Sequence, residues 1–203
     1  MNIKISLACL LIPLTVFSSQ DFSIALKNHK KNIALIIAYK DYHPVEYAET
    51  KRVLEQAGFS VTTVSTQSGY ARALDNSRTF VDKALNKFKP LKFDGIFLIG
   101  GPGAHTQLDT GLVYKIMNKA YKAGKIIGAI CYSPRILAKA GLLTHKHATG
   151  WDNDKQLETI FKKYAVHYDK KPVVIDNTII TADGPSSATA FGKAIVGLLG
   201  HKK

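Results

Sequence analysis

Between Lys125 and Pro134 the chain reads Ile126-Ile127-Gly128-Ala129-Ile130-Cys131-Tyr132-Ser133, and this stretch restricts the fold more than any other. Five of the six residues from Ile126 to Cys131 are apolar and the sixth is Gly128. A run that is apolar at odd and even positions alike needs cover on both faces, as the strands of a parallel sheet have. Pro134 suits the first turn of a helix and Gly141 its end, which predicts a helix from Pro134 to Ala140. Cys131 therefore falls where a strand turns sharply into a helix. That is the geometry of a nucleophile elbow with cysteine in the serine's place. Amides at the helix N-terminus would favour thiolate over thiol. The plainer alternative is a buried structural cysteine, since free cysteines are often fully buried.

The rest of the chain supplies the sheet that such a strand requires. Asn32 to Ala38 and Phe93 to Ile99 are two more buried strands, and Phe59 to Ser65 is a valine- and threonine-rich third. Helical patterns lie between them. One opens at Pro44, with Val45, Ala48, Val53, Leu54 and Ala57 on its apolar face, and ends at Gly58. Others run from Thr79 to Phe88 and from Gly111 to Ala123, with residues 66–76 as loop. Asp154 to Tyr164 reads as helix, and Val173–Asp176 with Thr178–Ala182 as a strand pair joined around Asn177. Ser186 to Leu199 reads as a closing helix capped by Ser186 or Ser187. This alternation predicts an α/β fold, a three-layer sandwich around a mostly parallel central sheet. Chemistry in such folds gathers at the carboxyl ends of the strands. Three segments end there: the one leading to Glu46, the one ending at Gly100-Gly101, and the one ending at Cys131.

Composition sets outer limits. The 203 residues suit one domain, and the +13 net charge invites thoughts of nucleic acid or anionic surfaces. The lysines are dispersed, however, with a tight cluster only at Lys27, Lys30 and Lys31, so no specific nucleic-acid partner is expected. Residues 1–20 differ from the rest. A weak basic start, an apolar run from Ile5 to Phe17 and the small residues Ser18-Ser19 form a signal-peptide pattern too short to span a bilayer stably. The alternative is an apolar arm docked on the domain. Export to the periplasm or outside the cell is the expectation, with residues 21–31 as leader and 32–203 as the domain. Cleavage would remove Cys9 and leave Cys131 as the sole cysteine, unable to form an intramolecular disulfide.

With these segments placed, residues 32–200 resemble the DJ-1/PfpI (ThiJ/PfpI) superfamily, of flavodoxin-like, class I glutamine amidotransferase-like fold. The resemblance is carried by Glu46 ahead of Gly58 and by Phe93-Asp94-Gly95-Ile96-Phe97-Leu98-Ile99-Gly100-Gly101. It continues in Ala129-Ile130-Cys131-Tyr132-Ser133-Pro134, Ala140-Gly141-Leu142-Leu143, Ala148-Thr149-Gly150-Trp151 and Thr181-Ala182-Asp183-Gly184-Pro185-Ser186. It implies a nucleophilic Cys131 with a carboxyl partner in Glu46, which without it reads equally as a helix N-terminal carboxylate. It also implies a homodimer or higher homo-oligomer, and work without a cofactor. Family activities include glyoxalases and deglycases acting on small carbonyl or glycated substrates in stress protection. Others are peptidases, chaperones and sensors with an oxidisable cysteine.

The departures narrow this. Peptidase-like members carry histidine directly after the cysteine, where this chain has Tyr132. Another branch carries histidine where Trp151 stands. A triad peptidase is therefore disfavoured. Backbone amides at Gly101 and Tyr132 are candidates for an oxyanion hole. His105, after the glycine turn, is a candidate catalytic residue, and His43, just before Glu46, a candidate at the substrate, although loop histidines are commonly only solvated. Gly100, Gly101, Trp151, Gly184 and Pro185 are candidates to line the cleft. A tight turn accounts equally for the glycines, and ordinary packing for Trp151. His145 and His147, without a carboxylate cluster, give no warrant for a metal.

Overall fold

The computed structural model describes residues 30–201, with side chains described as far as residue 200. The signal-peptide reading and Cys9 lie outside the described residues. Seven strands form the central sheet: β1 (Asn32–Ile36), β3 (Ser60–Ser65), β6 (Lys83–Ala84), β7 (Gly95–Leu98), β8 (Ile126–Ile130), β11 (Val173–Asp176) and β12 (Ile179–Ala182). Their order is β11-β12-β8-β7-β1-β3-β6. Every pairing is parallel except β11 with β12, which forms a hairpin turning at Asn177 with φ +53°. Helices α1 (Pro44–Gln56), α2 (Gly111–Lys122), α3 (Pro134–Lys139) and α5 (Ala188–His201) cover the sheet, with α4 (Leu157–Lys163) packed on α3. The α/β sandwich expected from the alternating pattern is the fold observed.

The apolar runs behave as their patterns demand. All residues of β7, β8 and β12 are buried, as are Ile33 to Ile36 of β1. Gly128 sits in β8 where a Cβ would come 2.4 Å from the Ile180 carbonyl oxygen on the neighbouring strand, so β8 can approach β12 only without a side chain there. Among the described residues no helix is long and apolar enough to cross a membrane.

The region from 66 to 88 departs from expectation. The loop at 66–76 contains β4 (Gly69–Ala73), and the helix expected over 79–88 is β5 (Arg78–Val81), the edge strand β6 and one 3-10 turn at Leu85–Lys87. β4 and β5 pair antiparallel, and β4 pairs with β2 (Lys40–Tyr42) to make a second, three-stranded sheet. The period is two, not 3.6: Ala71, Ala73 and Val81 point inward while Tyr70, Arg72 and Phe80 stay exposed. Asp75-Asn76 makes the turn, with Asn76 at φ +67°, a position asparagine tolerates better than most residues. Strand formers at Thr79, Phe80 and Val81 outweigh the loose helical spacing of the same residues. The helix expected from Asp154 begins at Leu157, because Asp154 turns its carboxylate to Arg135 and to the Gln156 N–H. A 3-10 turn at Pro185–Ser187 precedes α5, and Ser187 bonds Asp183. Two short strands, β9 (His147–Ala148) and β10 (His167–Tyr168), pair beside the main sheet.

The loop after β1 lies directly on the loop after β7, and this contact positions α1. A Cβ on Gly103 would fall 1.8 Å from the Lys40 carbonyl oxygen, backbone against side chain with no room to yield. Gly103→Ala is expected to destabilise the fold by about 1–3 kcal/mol, the range for overpacking. Gly197→Ala, in α5 with nothing within 4 Å of the new methyl, should stabilise by up to about 1 kcal/mol through helix propensity. Denaturant unfolding of the two variants measures both; equal stabilities would show that the two loops do not depend on this approach.

Candidate functional site

Cys131 follows the last residue of β8 with φ +63°, a left-handed conformation that costs a non-glycine residue on the order of 1–3 kcal/mol. The surroundings hold it there. Its N–H donates to the Ala182 carbonyl at 2.9 Å, and its carbonyl accepts the Trp151 N–H at 2.8 Å. Ser133 Oγ donates to the Ile99 carbonyl at 2.9 Å and ties the turn to the end of the β7 segment. The elbow read from the sequence is present, and its strain is supported from three other segments.

Glu46 comes from the first turn of α1 and is fully buried, which removes its reading as a surface carboxylate on a helix dipole. Its Oε2 accepts the Gly100 N–H at 3.0 Å, and its Oε1 is buried without a hydrogen-bond partner. The start of α1 is held by the His43 N–H, which donates to the Gly100 carbonyl at 3.1 Å. Gly100 thus contacts Glu46 through its amide and His43 through its carbonyl. A Cβ on it would lie 2.5 Å from the Cys131 Cβ and 2.7 Å from Glu46 Oε2. The glycine is the space in which acid and thiol meet. Gly101, at φ +106°, would drive a Cβ to 2.6 Å from both the Asp41 carbonyl oxygen and the His43 nitrogen.

The electrostatics differ from the expectation in one respect. Burial holds the Cys131 thiol well above its ordinary pKa, and the adjacent Glu46 carboxylate adds to this. The backbone N–H groups of Gly101 and Tyr132 pull in the opposite direction. The thiolate expected from the helix N-terminus is therefore not the resting form. Helix α3 has only six residues, and its amides are outweighed by burial of the sulfur and, after that, by the acid beside it. Glu46 is pushed up to about 7, chiefly by burial, with the Cys131 thiol and the Gly100 N–H holding it lower than burial alone would. Acid and thiol resist carrying two negative charges side by side.

Above the sulfur is a cleft of about 460 Å3 lined by His43, Gly101, Pro102, His105, Thr106, Cys131, Tyr132 and Trp151. Cys131 is 7% exposed, enough to meet a small molecule and too little to face bulk water. The Tyr132 hydroxyl and His105 Nδ1 share a hydrogen bond of 2.6 Å. Burial holds His43 below its usual pKa, and its Nδ1 has no partner. Of the sequence candidates, Cys131, Glu46, Tyr132, His105, Gly100, Gly101, His43 and Trp151 come together here. Gly184 and Pro185 do not line this cleft. They line a neighbouring one of about 520 Å3, joined to it through Trp151 and bordered by Lys155, Lys170 and Lys171. Their turn leads into α5 on the far side of the Trp151 segment, which the motif alone did not indicate. Pro102 and Thr106 were missed. Pro102 stands inside the glycine turn and could have been inferred, whereas Thr106 carries no signal beyond following His105. Among the described residues no three His, Cys, Asp or Glu side chains gather in a way that could hold a metal ion. His147 instead pairs with Asp169 at 2.8 Å and stacks on His167.

Comparison with known proteins agrees with this geometry. The model of the DJ-1/PfpI family matches residues 31–198. An uncharacterised protein of Methanocaldococcus jannaschii is 32% identical over 94% of this chain and 95% of its own length. The glutathione-independent glyoxalase DJR-1.2 of Caenorhabditis elegans is 28% identical over 82% of this chain and 88% of its own. A ThiJ/PfpI domain protein from Brachyspira murdochii superposes with a TM-score of 0.79 at 27% identity, covering 86% of this chain and 99% of that one.

A raised carboxyl pKa has a fixed sign. With Glu46 near 7 folded and near 4.5 unfolded, the folded state binds the extra proton. Its contribution is complete below about pH 4.5 and is lost as pH rises through 7, on the order of 3 kcal/mol in total. Glu46→Gln should remove that slope, giving unfolding free energies that vary less than wild type between pH 5 and 8. It should also lower the pH midpoint of Cys131 alkylation by iodoacetamide, because a neighbouring negative charge has gone. An unchanged midpoint would show that acid and thiol are not electrically coupled.

Proposed function

Because the chain belongs to the DJ-1/PfpI family and brings a strained cysteine and a buried acid together beneath a small cleft, we propose that it is a cysteine-dependent enzyme acting on small carbonyl or glycated substrates. The observation that carries this is the Cys131–Glu46 pair, with the Gly101 and Tyr132 amides at the sulfur. A thiol held protonated by burial and by its acidic neighbour suits an electrophile that is attacked as the proton leaves. Glu46, ionised about half the time near pH 7, takes the thiol proton as the sulfur bonds to the aldehyde carbon. The carbonyl electrons move to oxygen, which the two amides face and which the Tyr132–His105 pair can supply with a proton. For a dicarbonyl such as methylglyoxal, the hemithioacetal carbon then gives up its proton, and the adjacent carbonyl carbon receives one. The product is a thioester at the same total oxidation level, and water releases the hydroxy acid and restores the thiol. The C. elegans relative, a glyoxalase by name, supports this class of reaction. Tyr132 in place of histidine argues against a peptidase, since a phenol is a poor base near neutrality.

One observation favours a second reading. Glu46, which lies against the Cys131 thiol, has one buried carboxyl oxygen, Oε1, without a hydrogen-bond partner. Oxidation of Cys131 to sulfinate would place an acceptor there, and a protonated Glu46 could donate to it. The protein would then be a redox sensor or oxidisable chaperone.

Methylglyoxal consumption with lactate formation decides between them. Wild type should turn it over, with kcat rising through about pH 7 as Glu46 ionises. Cys131→Ala should lower the rate at least about a thousandfold, and Tyr132→Phe about ten- to a hundredfold, as loss of a positioned proton donor does. No turnover, together with a two-oxygen mass gain at Cys131 under mild peroxide, would overturn the enzymatic reading in favour of the sensor.

A further inference from the structure

Arg135 is the largest fully buried side chain of the described residues, 1% exposed, and none of the chemistry above uses it. It is the second residue of α3, four positions after Cys131. Its two terminal nitrogens grip the Asp154 carboxylate at 2.8 and 2.6 Å, and one of them also donates to the Trp151 carbonyl at 2.9 Å. Its guanidinium carbon lies 4.7 Å from the Tyr132 ring centroid and 5.6 Å from that of Trp151. Those rings are two walls of the Cys131 cleft.

Stability is a poor account of this arrangement. A buried ion pair gains little over apolar residues of equal volume, and here the Nε donor has no partner at all. What a planar guanidinium provides that such residues do not is fixed direction: a two-pronged grip on a carboxylate and a flat cationic face for aromatic rings. One group therefore touches both aromatic walls and fastens them to the segment that enters α4. Arg135 makes no contact with the Gly100 N–H that binds Glu46 or with the Ala182 carbonyl that binds the Cys131 N–H. The Trp151 N–H on the Cys131 carbonyl is the one link, through the residue whose carbonyl Arg135 holds.

We infer that Arg135, gripped by Asp154, is a positioning residue that sets the separation and tilt of Tyr132 and Trp151, and so fixes the fit of substrate over Cys131. The claim concerns the shape of the cleft, and only its kinetic readout rests on the carbonyl chemistry proposed above. Arg135→Lys keeps the charge and loses the fork and the flat face. Asp154→Asn, at a side chain 28% exposed, removes the anionic half of the grip with little disturbance to packing.

Trp151 is the only tryptophan in the chain, so tryptophan emission, excited apart from the tyrosines, reports on the Trp151 segment and the two clefts it borders. In Arg135→Lys, Trp151 emission should shift to the red and acrylamide quenching should rise about twofold. KM for methylglyoxal should rise about tenfold, and kcat should fall by less than in Tyr132→Phe, because the phenol is tilted and not lost. Alkylation of Cys131 by iodoacetamide, small enough to ignore the walls, should stay within about twofold of wild type. Asp154→Asn should move each readout in the same direction by less, and it carries the test if Arg135→Lys fails to fold. Trp151 emission and quenching identical to wild type in the folded variants would overturn the inference. So would alkylation accelerating in step with quenching, which would mean general loosening. Absence of methylglyoxal turnover in wild type would remove the proposed reaction, and fluorescence and alkylation would still decide the role of Arg135.

Discussion

The hydrogen bond from the Gly100 N–H to Glu46 Oε2 is the contact on which the site depends. It joins the end of the third parallel strand to the first turn of α1, and it can form only because Gly100 has no side chain. Three strand ends must converge there: one delivers an acid, one an amide and one a sulfur. The glycines of the 100–103 turn let the loop after β1 lie against it, with Gly101 facing the Asp41 and His43 backbone and Gly103 facing Lys40. Burying a carboxyl without a cationic partner is unfavourable, and the Cys131 thiol and the Gly100 amide only partly offset it, so Glu46 is pushed up to about 7 from near 4.5. The unfavourable burial and the chemical usefulness of that acid have one cause.

That cause also explains the thiol. A sulfur at a helix N-terminus is commonly a stable thiolate, and here its own burial, reinforced by the acid beside it, reverses the balance. The pair resists carrying two charges, so it is suited to passing a proton from sulfur to carboxylate as the sulfur forms a bond. The positive φ of Cys131 belongs to the same design. It turns the side chain out of the sheet toward the cleft and leaves the Gly101 and Tyr132 amides close to the sulfur.

Most of the sheet and most of the site were legible in the sequence. Ile126 to Cys131, Phe93 to Ile99 and Asn32 to Ala38 are apolar at consecutive positions, which few environments besides a covered parallel strand allow. Glu46, Gly100 and Cys131 could be grouped because each follows such a run. Arg78 to Ala84 was not legible, because strand and helix periods both fit a short segment with scattered apolar residues. Only pairing with Gly69–Ala73, a tertiary fact, selects the strand. The thiol's protonation was not legible either, since it depends on how deeply the sulfur is buried and on the acid packed against it. Nor was Arg135, an unremarkable helical arginine until Tyr132, Trp151 and Asp154 are seen around it.

The +13 charge and the cleft must be considered separately. Among the described residues no lysine or arginine lines the space above Cys131, and Arg135 approaches it only through contact with two of its aromatic walls. Lysines gather at the neighbouring polar cleft, although Lys170 and Lys171 already lie against Glu158 and Asp169. Charges on the outer surface are screened beyond about 8 Å at physiological salt, so they do little to select what enters the inner cleft. Under the proposed function selection would fall to shape, with two aromatic rings, a proline and a glycine turn around the sulfur. The atoms that can respond to it are a sulfur, a buried carboxyl, two backbone amides and a phenol–imidazole pair. The electrophilic carbonyl of the proposed reaction would use all of them, with the carbon at sulfur, the oxygen at the amides and protons on either side, whereas an anion entering the same space would meet Glu46 as a like charge.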